Sequence, residues 1–240
     1  MCTVTYLPIS NNEFILTSSR DVPFSREKSL VPKKYVEDGI TLFYPKDGKA
    51  GGTWIGTSSK ERLICLLNGG FKNHDQKEFY AKSRGLIVKE LLKTDDLAKA
   101  YEQIELDHVE PFTLVIVEWN LSAKPISRKS DKASDALILT EFVWDGKSKF
   151  LKKIPQEPQI WSSSTLYTGV MKDMRRGWFN EWRNKHEFNK INILNFHYKA
   201  GIGDEKIDIL MKRPAVGTVS ITQVSNINKS IKIDYKEIVQ

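Results

Sequence analysis

The sequence predicts an α+β fold in which largely antiparallel sheets are covered by helices. Short alternating segments separated by turn residues occur in pairs, which favours hairpins over βαβ units. The segments follow the order strands, helices, strands, helices, strands without an internal repeat, which is typical of this class. The chain has 240 residues, 40% of them hydrophobic and 28% charged, so we expect residues 1–240 to form one globular domain.

The first hairpin is predicted from two alternating segments, residues 2–7 and 13–18, with turn residues between them. If Leu7 pairs with Phe14, the antiparallel register places Cys2 opposite Ser19. Directly opposed residues of an antiparallel pair lie about 4.5–5.5 Å apart. This register therefore brings Arg20 and Asp21 close to the start of the chain.

A second hairpin is predicted from residues 53–57 and 62–67. In its register the glycine pair 51–52 falls opposite residues 68–70. Glycines permit close backbone approach, so two such groups at one strand end indicate an opening to a ligand. The side-chain amide of Asn68 can donate to a developing oxyanion there. The alternative is that Asn68 is a turn residue next to turn glycines.

The remaining elements follow from hydrophobic periodicity. Spacing near 3.6 residues predicts helices over 83–92, 95–104, 169–184 and 188–198. Apolar or alternating runs predict strands or extended segments over 111–119, 137–143, 150–154, 160–166, 218–224 and 231–235. Residues 124–135, rich in Ser, Lys and Asp, are expected to form a mobile excursion.

Cys2 is the residue with the most direct chemical meaning. Its small side chain permits removal of the initiator methionine, which would leave a thiol and a free α-amine on one residue. The ordinary pKa is about 7.7–8.0 for an α-amine and about 8.5 for a cysteine thiol, so both groups titrate near neutrality. An adjacent amine is a recognised activator of a nucleophile. The alternative is an ordinary small residue at the start of a strand.

Charge and cysteine content limit the class of partner. The formal charge is +7, but the basic residues are scattered among acidic ones without interleaved aromatics, so no nucleic-acid partner is expected. No apolar run approaches the roughly 18–20 residues of a membrane helix, and the start lacks a signal-peptide pattern, so we expect a cytoplasmic protein with no membrane span. Two cysteines provide no disulfide framework, and Cys65 is expected to be a core residue.

Common metal and nucleotide motifs are missing from the sequence. The four histidines are far apart, and the two cysteines form no CxxC pair, so we expect neither a metal nor a cofactor. No phosphate loop, dinucleotide fingerprint or GxSxG elbow is present. No heptad pattern indicates an oligomer.

The chain resembles the NRDE family, whose eukaryotic branch is named for transport and Golgi organisation. The resemblance rests on Met-Cys-Thr at 1–3, Phe-Ile-Leu-Thr-Ser-Ser-Arg-Asp at 14–21 and Gly-Gly-Thr-Trp-Ile-Gly at 51–56, and it continues at 66–70, 161–166 and 217–220. The segment Thr-Val-Thr-Tyr-Leu-Pro is similar to the bacterial branch. The resemblance implies the four-layer αββα sandwich of the N-terminal nucleophile hydrolases.

The resemblance also implies roles for particular residues. In related cysteine acylases, which cleave amide bonds, the first-residue thiol attacks and its own amine moves the proton. Cys2 matches this nucleophile, Arg20 and Asp21 match the orienting pair, and Asn68 matches an oxyanion-hole asparagine. The surrounding substrate-binding set is then Ser19, Gly51, Gly52, Trp54, Gly69 and Ser163.

Four residues depart from the family pattern. They are Ser19, Val22, Ser163 and Val219, in place of Asn, Glu, Asn and Arg. Loss of one donor from a preorganised site lowers the rate by about 10²–10³. These departures therefore bear on turnover more than on the fold.

Two functions from different classes follow. The first is a cysteine hydrolase of the N-terminal nucleophile type that acts on a carbon–nitrogen amide bond of a small substrate. The alternative is a non-catalytic protein that binds or transports haem, an acyl-lipid or acyl-CoA in the same pocket. In both cases the expected partner is a small molecule.

Overall fold

Two antiparallel sheets face each other across a shared apolar core in the computed structural model, which describes residues 3–119 and 137–239. The strands are β1 Thr3–Ser10, β2 Glu13–Pro23, β3 Leu30–Glu37, β4 Ile40–Lys46, β5 Ile55–Ser58, β6 Arg62–Asn68, β7 Phe112–Trp119, β8 Leu137–Trp144, β9 Lys149–Ile154, β10 Gln159–Ser162, β11 Val216–Ile227 and β12 Ser230–Glu237. The helices are α1 Arg84–Lys93, α2 Leu97–Gln103, α3 Gly169–Lys185 and α4 Lys190–Lys199. The predictions for Cys2 and for residues 124–135 lie outside the described residues.

The smaller sheet has the order β10-β1-β2-β11-β12, and the larger has the order β3-β4-β5-β6-β7-β8-β9. Every pair of neighbouring strands is antiparallel. Consecutive strands are joined mostly by short turns, as the paired segments of the sequence predicted. The α+β class and its mainly antiparallel sheets are therefore confirmed.

Helices cover the outer faces of both sheets. Leu7 and Ile15 of the smaller sheet pack in one cluster with Phe179 of α3 and Phe196 of α4. On the larger sheet, α1 contacts β5 and β6 and buries its apolar face. Strand β6 is buried along almost its whole length because it has neighbours on both faces. The result is the predicted order of helix, sheet, sheet, helix.

The register of the first hairpin differs by one residue from the prediction. Thr3 pairs with Ser19, so the expected pairing of position 2 with Ser19 is wrong. The cause lies in the turn, because β1 continues to Ser10, which pairs with Glu13, and a β-bulge after Pro8 absorbs one residue. A shift of one residue exchanges the two faces of a strand, so the correction changes which side chains share a face.

The hairpin of β3 and β4 was not predicted. Its turn is Asp38-Gly39, and both residues have positive φ, 53° and 75°. An Asp-Gly pair with positive φ at both positions is the usual signal of a tight two-residue hairpin. The signal was therefore present in the sequence between two alternating segments.

The other elements lie within a few residues of their predicted bounds. The clearest difference is β10, which ends at Ser162, whereas an extended segment was expected over 160–166. Among residues 3–119 and 137–239, no helix combines the length and the apolar character needed to cross a membrane.

Candidate functional site

The two faces of β2 have different surroundings. Leu16 belongs to the core between the sheets, whereas Ile15 packs against α3 and α4. Side chains alternate along a strand with a period of two. Arg20 therefore lies on the inter-sheet face, and Ser19 and Asp21 lie on the helix-facing side.

Three predicted site residues lie near the start of β1 or are linked to it. Thr3 pairs with Ser19 of β2 on one side and with Ser162 of β10 on the other. The next residues along the chain from these partners are Arg20 and Ser163. The hydroxyl of Ser163 donates a 2.8 Å hydrogen bond to the carbonyl oxygen of Asn68 at the end of β6. Arg20 and Ser163 therefore lie on either side of the start of β1, and Asn68 is tied to Ser163 by this hydrogen bond.

Arg20 is a buried cation with few partners. Only 3% of the residue is exposed, and its guanidinium lies 4.2 Å from the centroid of the Trp54 ring. It donates one hydrogen bond within the described chain, 2.7 Å from Nη2 to Oδ2 of Asp47. A guanidinium has five N–H donors. Burial lowers the pKa of Arg20, and the carboxylate of Asp47 partly opposes this.

Asp47 holds two arginines at once. It also accepts two hydrogen bonds from Arg26, at 2.9 and 3.0 Å, and one from the backbone N–H of Ala50 at 2.9 Å. Burial raises the pKa of Asp47, but the hydrogen bonds from Arg26 and Ala50 and the charges of both arginines outweigh it, so the net shift is downward. Sequence reasoning missed Asp47, because it lies 27 residues along the chain from Arg20 and no local pattern links the two.

Asp21 lies in a separate network on the helix-facing side. Its carboxylate accepts hydrogen bonds of 2.6 Å from the hydroxyls of both Tyr167 and Thr218. The ring of Tyr167 stacks against the guanidinium of Arg175 at 3.5 Å. Arg175 in turn donates to the hydroxyl of Thr3. Asp21 is thereby linked to the start of β1.

A β-bulge in β11 places two nearby hydroxyls on opposite faces of the sheet. Thr218 pairs with Asp21, and Ser220 pairs with Arg20, so Val219 is an extra residue between them. Residues two apart normally share a face, but the bulge places Thr218 and Ser220 on opposite faces. Ser220 lies beside Arg20, and its buried hydroxyl has no hydrogen-bond partner among the described residues.

Ser19 is not brought to the inter-sheet face. Its hydroxyl lies 2.8 Å from Nδ1 of His197, whose Nε2 lies 2.9 Å from the hydroxyl of Thr5. Burial lowers the pKa of His197 to about 3, with a further contribution from the charge of Arg175. This histidine is therefore a neutral hydrogen-bonding residue under the helices, and sequence reasoning did not single it out.

A cleft of about 90 Å³ opens beside Arg20. Four predicted site residues line it, namely Arg20, Gly52, Trp54 and Asn68. Three that were not predicted also line it, namely Arg26, Asp47 and Arg84. A second hollow of about 170 Å³ is lined by Gly69 and Ser163.

The glycine pair shapes the cleft wall. A Cβ on Gly52 would lie 2.5 Å from the carbonyl carbon of Gly85, so the loop can approach the first turn of α1 only with glycine there. Gly51 has a φ of +68° and donates its N–H to the carbonyl of Asp47. The pair thus positions Asp47 and the entrance to α1.

Cys65 is confirmed as a core residue. It is fully buried in the apolar cluster between the sheets. Burial raises the pKa of its thiol to about 12, although Ser18 opposes part of the shift. In the part of the chain that the structure describes, no group of three or more His, Cys, Asp and Glu side chains could hold a metal ion.

Two solved structures show the same fold. An N-acylethanolamine-hydrolyzing acid amidase ortholog from Caenorhabditis elegans has a TM-score of 0.56 and 11% identity over 92% of this chain and 92% of its own. A variant of conjugated bile acid hydrolase from Clostridium perfringens has a TM-score of 0.51 and 9% identity over 98% of this chain and 92% of its own. The fold is therefore that of the N-terminal nucleophile hydrolases.

Similar sequences point to one family. The human Transport and Golgi organization protein 2 homolog is 32% identical over 94 residues, and its mouse counterpart is 31% identical over 94 residues. Each match covers 37% of this chain, and the chain spans only 32% of the length of these relatives. The family model described as Transport and Golgi organisation 2 matches residues 1–195. The chain therefore belongs to the Transport and Golgi organisation 2 family.

Proposed function

We propose that this protein is an N-terminal nucleophile hydrolase that cleaves an amide bond of a small-molecule substrate, with Cys2 as the nucleophile. The observation that carries the proposal is the placement of Arg20 and Ser163 on either side of the start of β1, with Asn68 tied to Ser163. Residue 2 is covalently bonded to Thr3, and consecutive Cα atoms are about 3.8 Å apart. The nucleophile would therefore act among these three residues.

The reaction follows from the chemistry of a terminal cysteine. After removal of Met1, the α-amine of Cys2 takes the proton of the thiol, and the thiolate attacks the amide carbon. The tetrahedral intermediate collapses, the C–N bond breaks, and the ammonium returns the proton to the leaving amine. Water, deprotonated by the same amine, then attacks the thioester, breaks the C–S bond and releases the acid.

The described residues support separate parts of this reaction. Arg20 brings positive charge and N–H donors, which stabilise a thiolate. Asp21, on the other side of the strand, would hold the α-ammonium. The amide of Asn68 would donate to the oxyanion, and the hydrogen bond from Ser163 fixes its backbone. A free thiol persists readily in a reducing compartment, so a cytoplasmic location is part of the proposal.

The experiment begins with the thiol, because it needs no knowledge of the substrate. Intact-mass measurement should show that Met1 is absent, and iodoacetamide should add one label at pH 7, on Cys2. Cys65 is the internal control, because burial and its raised pKa protect it in the folded protein. The variant Cys65→Ala should label as the wild type does, and Cys2→Ser should not label.

Turnover is then measured with a panel of N-acyl amides. Wild-type protein and Cys65→Ala should release amine from at least one member, and Cys2→Ala should release none. Retained Met1, or a Cys2 thiol that reacts no faster than a free cysteine, would contradict the proposal.

A second candidate function is a non-catalytic carrier of haem, an acyl-lipid or acyl-CoA. One observation favours it, a groove of about 420 Å³ between α3 and α4, lined by Trp178, Trp182 and Phe196. This volume lies within the range of small-molecule sites, which are about 300–1,000 Å³. Thermal shift with haemin and palmitoyl-CoA tests it, since a ligand at 100 times its Kd stabilises by about 2.7 kcal/mol. The absence of any shift with either compound would reject the carrier.

A further inference from the structure

We infer that the substrate carries an anionic group, a carboxylate or a phosphate, which binds in the 90 Å³ cleft between Arg26, Arg84 and Trp54. This inference rests on the proposed function and adds the class of substrate to it. Four features of the cleft support it: its net positive charge, the buried donors of Arg20 and Trp54, the start of helix α1 and its size.

The charged side chains that line the cleft are three arginines and one carboxylate, Asp47. The two oxygens of Asp47 already accept four hydrogen bonds, three of them from Arg20 and Arg26. Arg84 pairs with Glu110 at 2.9 Å. With Glu110 counted, three guanidinium groups face two carboxylates, so the cleft keeps one positive charge in excess.

The buried polar groups of the cleft are short of acceptors. Trp54 is 3% exposed, and its indole N–H has no hydrogen-bond partner among residues 3–119 and 137–239. Arg20, equally buried, uses one of its donors within the same residues. A buried donor left unpaired costs about 1–3 kcal/mol. An ionised carboxylate or phosphate offers acceptors and no donors, so it complements this set better than a neutral amide or alcohol.

The first turn of α1 also faces the cleft. Ser83, Arg84 and Gly85 line it, and the side chain of Ser83 makes no capping hydrogen bond. The N-terminal end of a helix carries partial positive charge and free N–H groups, both of which favour an anion. The helix thus adds to the attraction of the arginines.

The size of the cleft limits what enters it. Its volume of about 90 Å³ is well below the roughly 300–1,000 Å³ of sites that enclose a whole small molecule, so it holds a charged headgroup rather than a whole acyl chain. Asn68 lines this cleft, and Gly69 lines the 170 Å³ hollow on the other side of the same strand end. The anion would occupy the cleft, the scissile amide would lie near Asn68, and the rest of the substrate would extend into the hollow.

The test measures binding without turnover. In the Cys2→Ala protein, isothermal titration compares N-benzoylglycine with its neutral isostere N-benzoylglycinamide, and phenyl phosphate forms the second anionic arm. We expect at least one anion to bind ten-fold or more tightly than the neutral compound, with the difference shrinking at high salt. The relative affinity of the two anions identifies the preferred headgroup.

Substitutions of the arginines make the assignment specific. Arg26→Gln and Arg84→Gln in the Cys2→Ala background should each remove most of the preference for the anion, and Arg26→Lys should retain part of it. Arg176→Gln, at an exposed arginine on α3, should change nothing. Thermal melts of all variants check that they fold.

Equal affinity for the charged and neutral compounds, or a preference that survives both arginine substitutions, would overturn the inference. These outcomes are distinguishable from failure of the proposed function. Anion binding by a protein that hydrolyses no amide would leave the anion site and remove the hydrolase. Hydrolysis of charged and neutral amides with equal efficiency would keep the hydrolase and remove the anion site.

Discussion

The guanidinium of Arg20 lies over the indole of Trp54, with its central carbon 4.2 Å from the ring centroid. Such a contact contributes about 2 kcal/mol when the cation is desolvated. The hydrogen bond to Asp47 fixes the guanidinium from another direction. Two contacts of different kinds therefore determine the orientation of one buried cation, and its remaining donors are held in fixed directions.

The first prediction concerns the counter-ion of this cation. Asp47→Asn should lower the free energy of unfolding by about 3–5 kcal/mol, because it leaves a buried guanidinium without its opposite charge. Urea unfolding at pH 7 measures the change. Asp173→Asn, which affects an exposed ion pair with Arg176, should cost about 0–1 kcal/mol. Equal effects of the two substitutions would contradict the role given to Asp47.

The second prediction concerns pH and His197. The folded pKa is lowered to about 3, whereas an unfolded histidine has a pKa of about 6.5. Below pH 6.5 the unfolded chain binds a proton that the folded chain does not, so stability should fall by about 1.4 kcal/mol per pH unit from this residue until about pH 3. Urea unfolding between pH 7 and pH 4 measures the slope, which His197→Gln should reduce. An imidazole found protonated by NMR in the folded protein at pH 5 would refute this.

The third prediction compares two glycines. Gly52→Ala should destabilise the protein by about 1–3 kcal/mol, because its Cβ would overlap the backbone of Gly85 and push the loop away from α1. Gly177→Ala should stabilise it by about 0.8–1 kcal/mol, because Gly177 lies inside α3 with no atom within 4 Å of the new Cβ. Thermal unfolding of both variants is sufficient, and a stabilising Gly52→Ala would disprove the close contact.

The fourth prediction compares two threonines of β11. Thr218→Val should cost about 1.5–3 kcal/mol, because it removes a hydrogen bond of 2.6 Å to the carboxylate of Asp21. Thr222→Val should be neutral or stabilising, because the buried hydroxyl of Thr222 has no partner among the described residues. Similar losses of stability in urea for both variants would show that the two hydroxyls are not distinguished in this way.

Much of the fold was predictable because the elements follow local patterns. The helix predicted over 169–184 corresponds to α3, Gly169–Lys185, and the Thr168 hydroxyl caps its start. The register of the first hairpin was not predictable from alternation alone. It depends on a bulge after Pro8, where one residue is accommodated without any change in polarity pattern.

The site was predictable only where residues belong to a recognisable motif. Arg20 and Asn68 lie in such segments, and both line the cleft. Asp47, Tyr167 and His197 do not, and each reaches its partner across a long stretch of chain. Contacts of this kind arise from the packing of layers, which no short window of sequence records.

The extra residue in β11 has a consequence for how this region can change. It interrupts the alternation of the strand, so that the hydroxyls of Thr218 and Ser220 lie on opposite sides of one sheet, and that of Thr218 binds Asp21. What matters at Val219 is therefore that a residue is present, and other apolar side chains should be accepted there. Deletion of Val219, by contrast, would restore the strict alternation of side chains along β11 and move one of the two hydroxyls to the other side of the sheet.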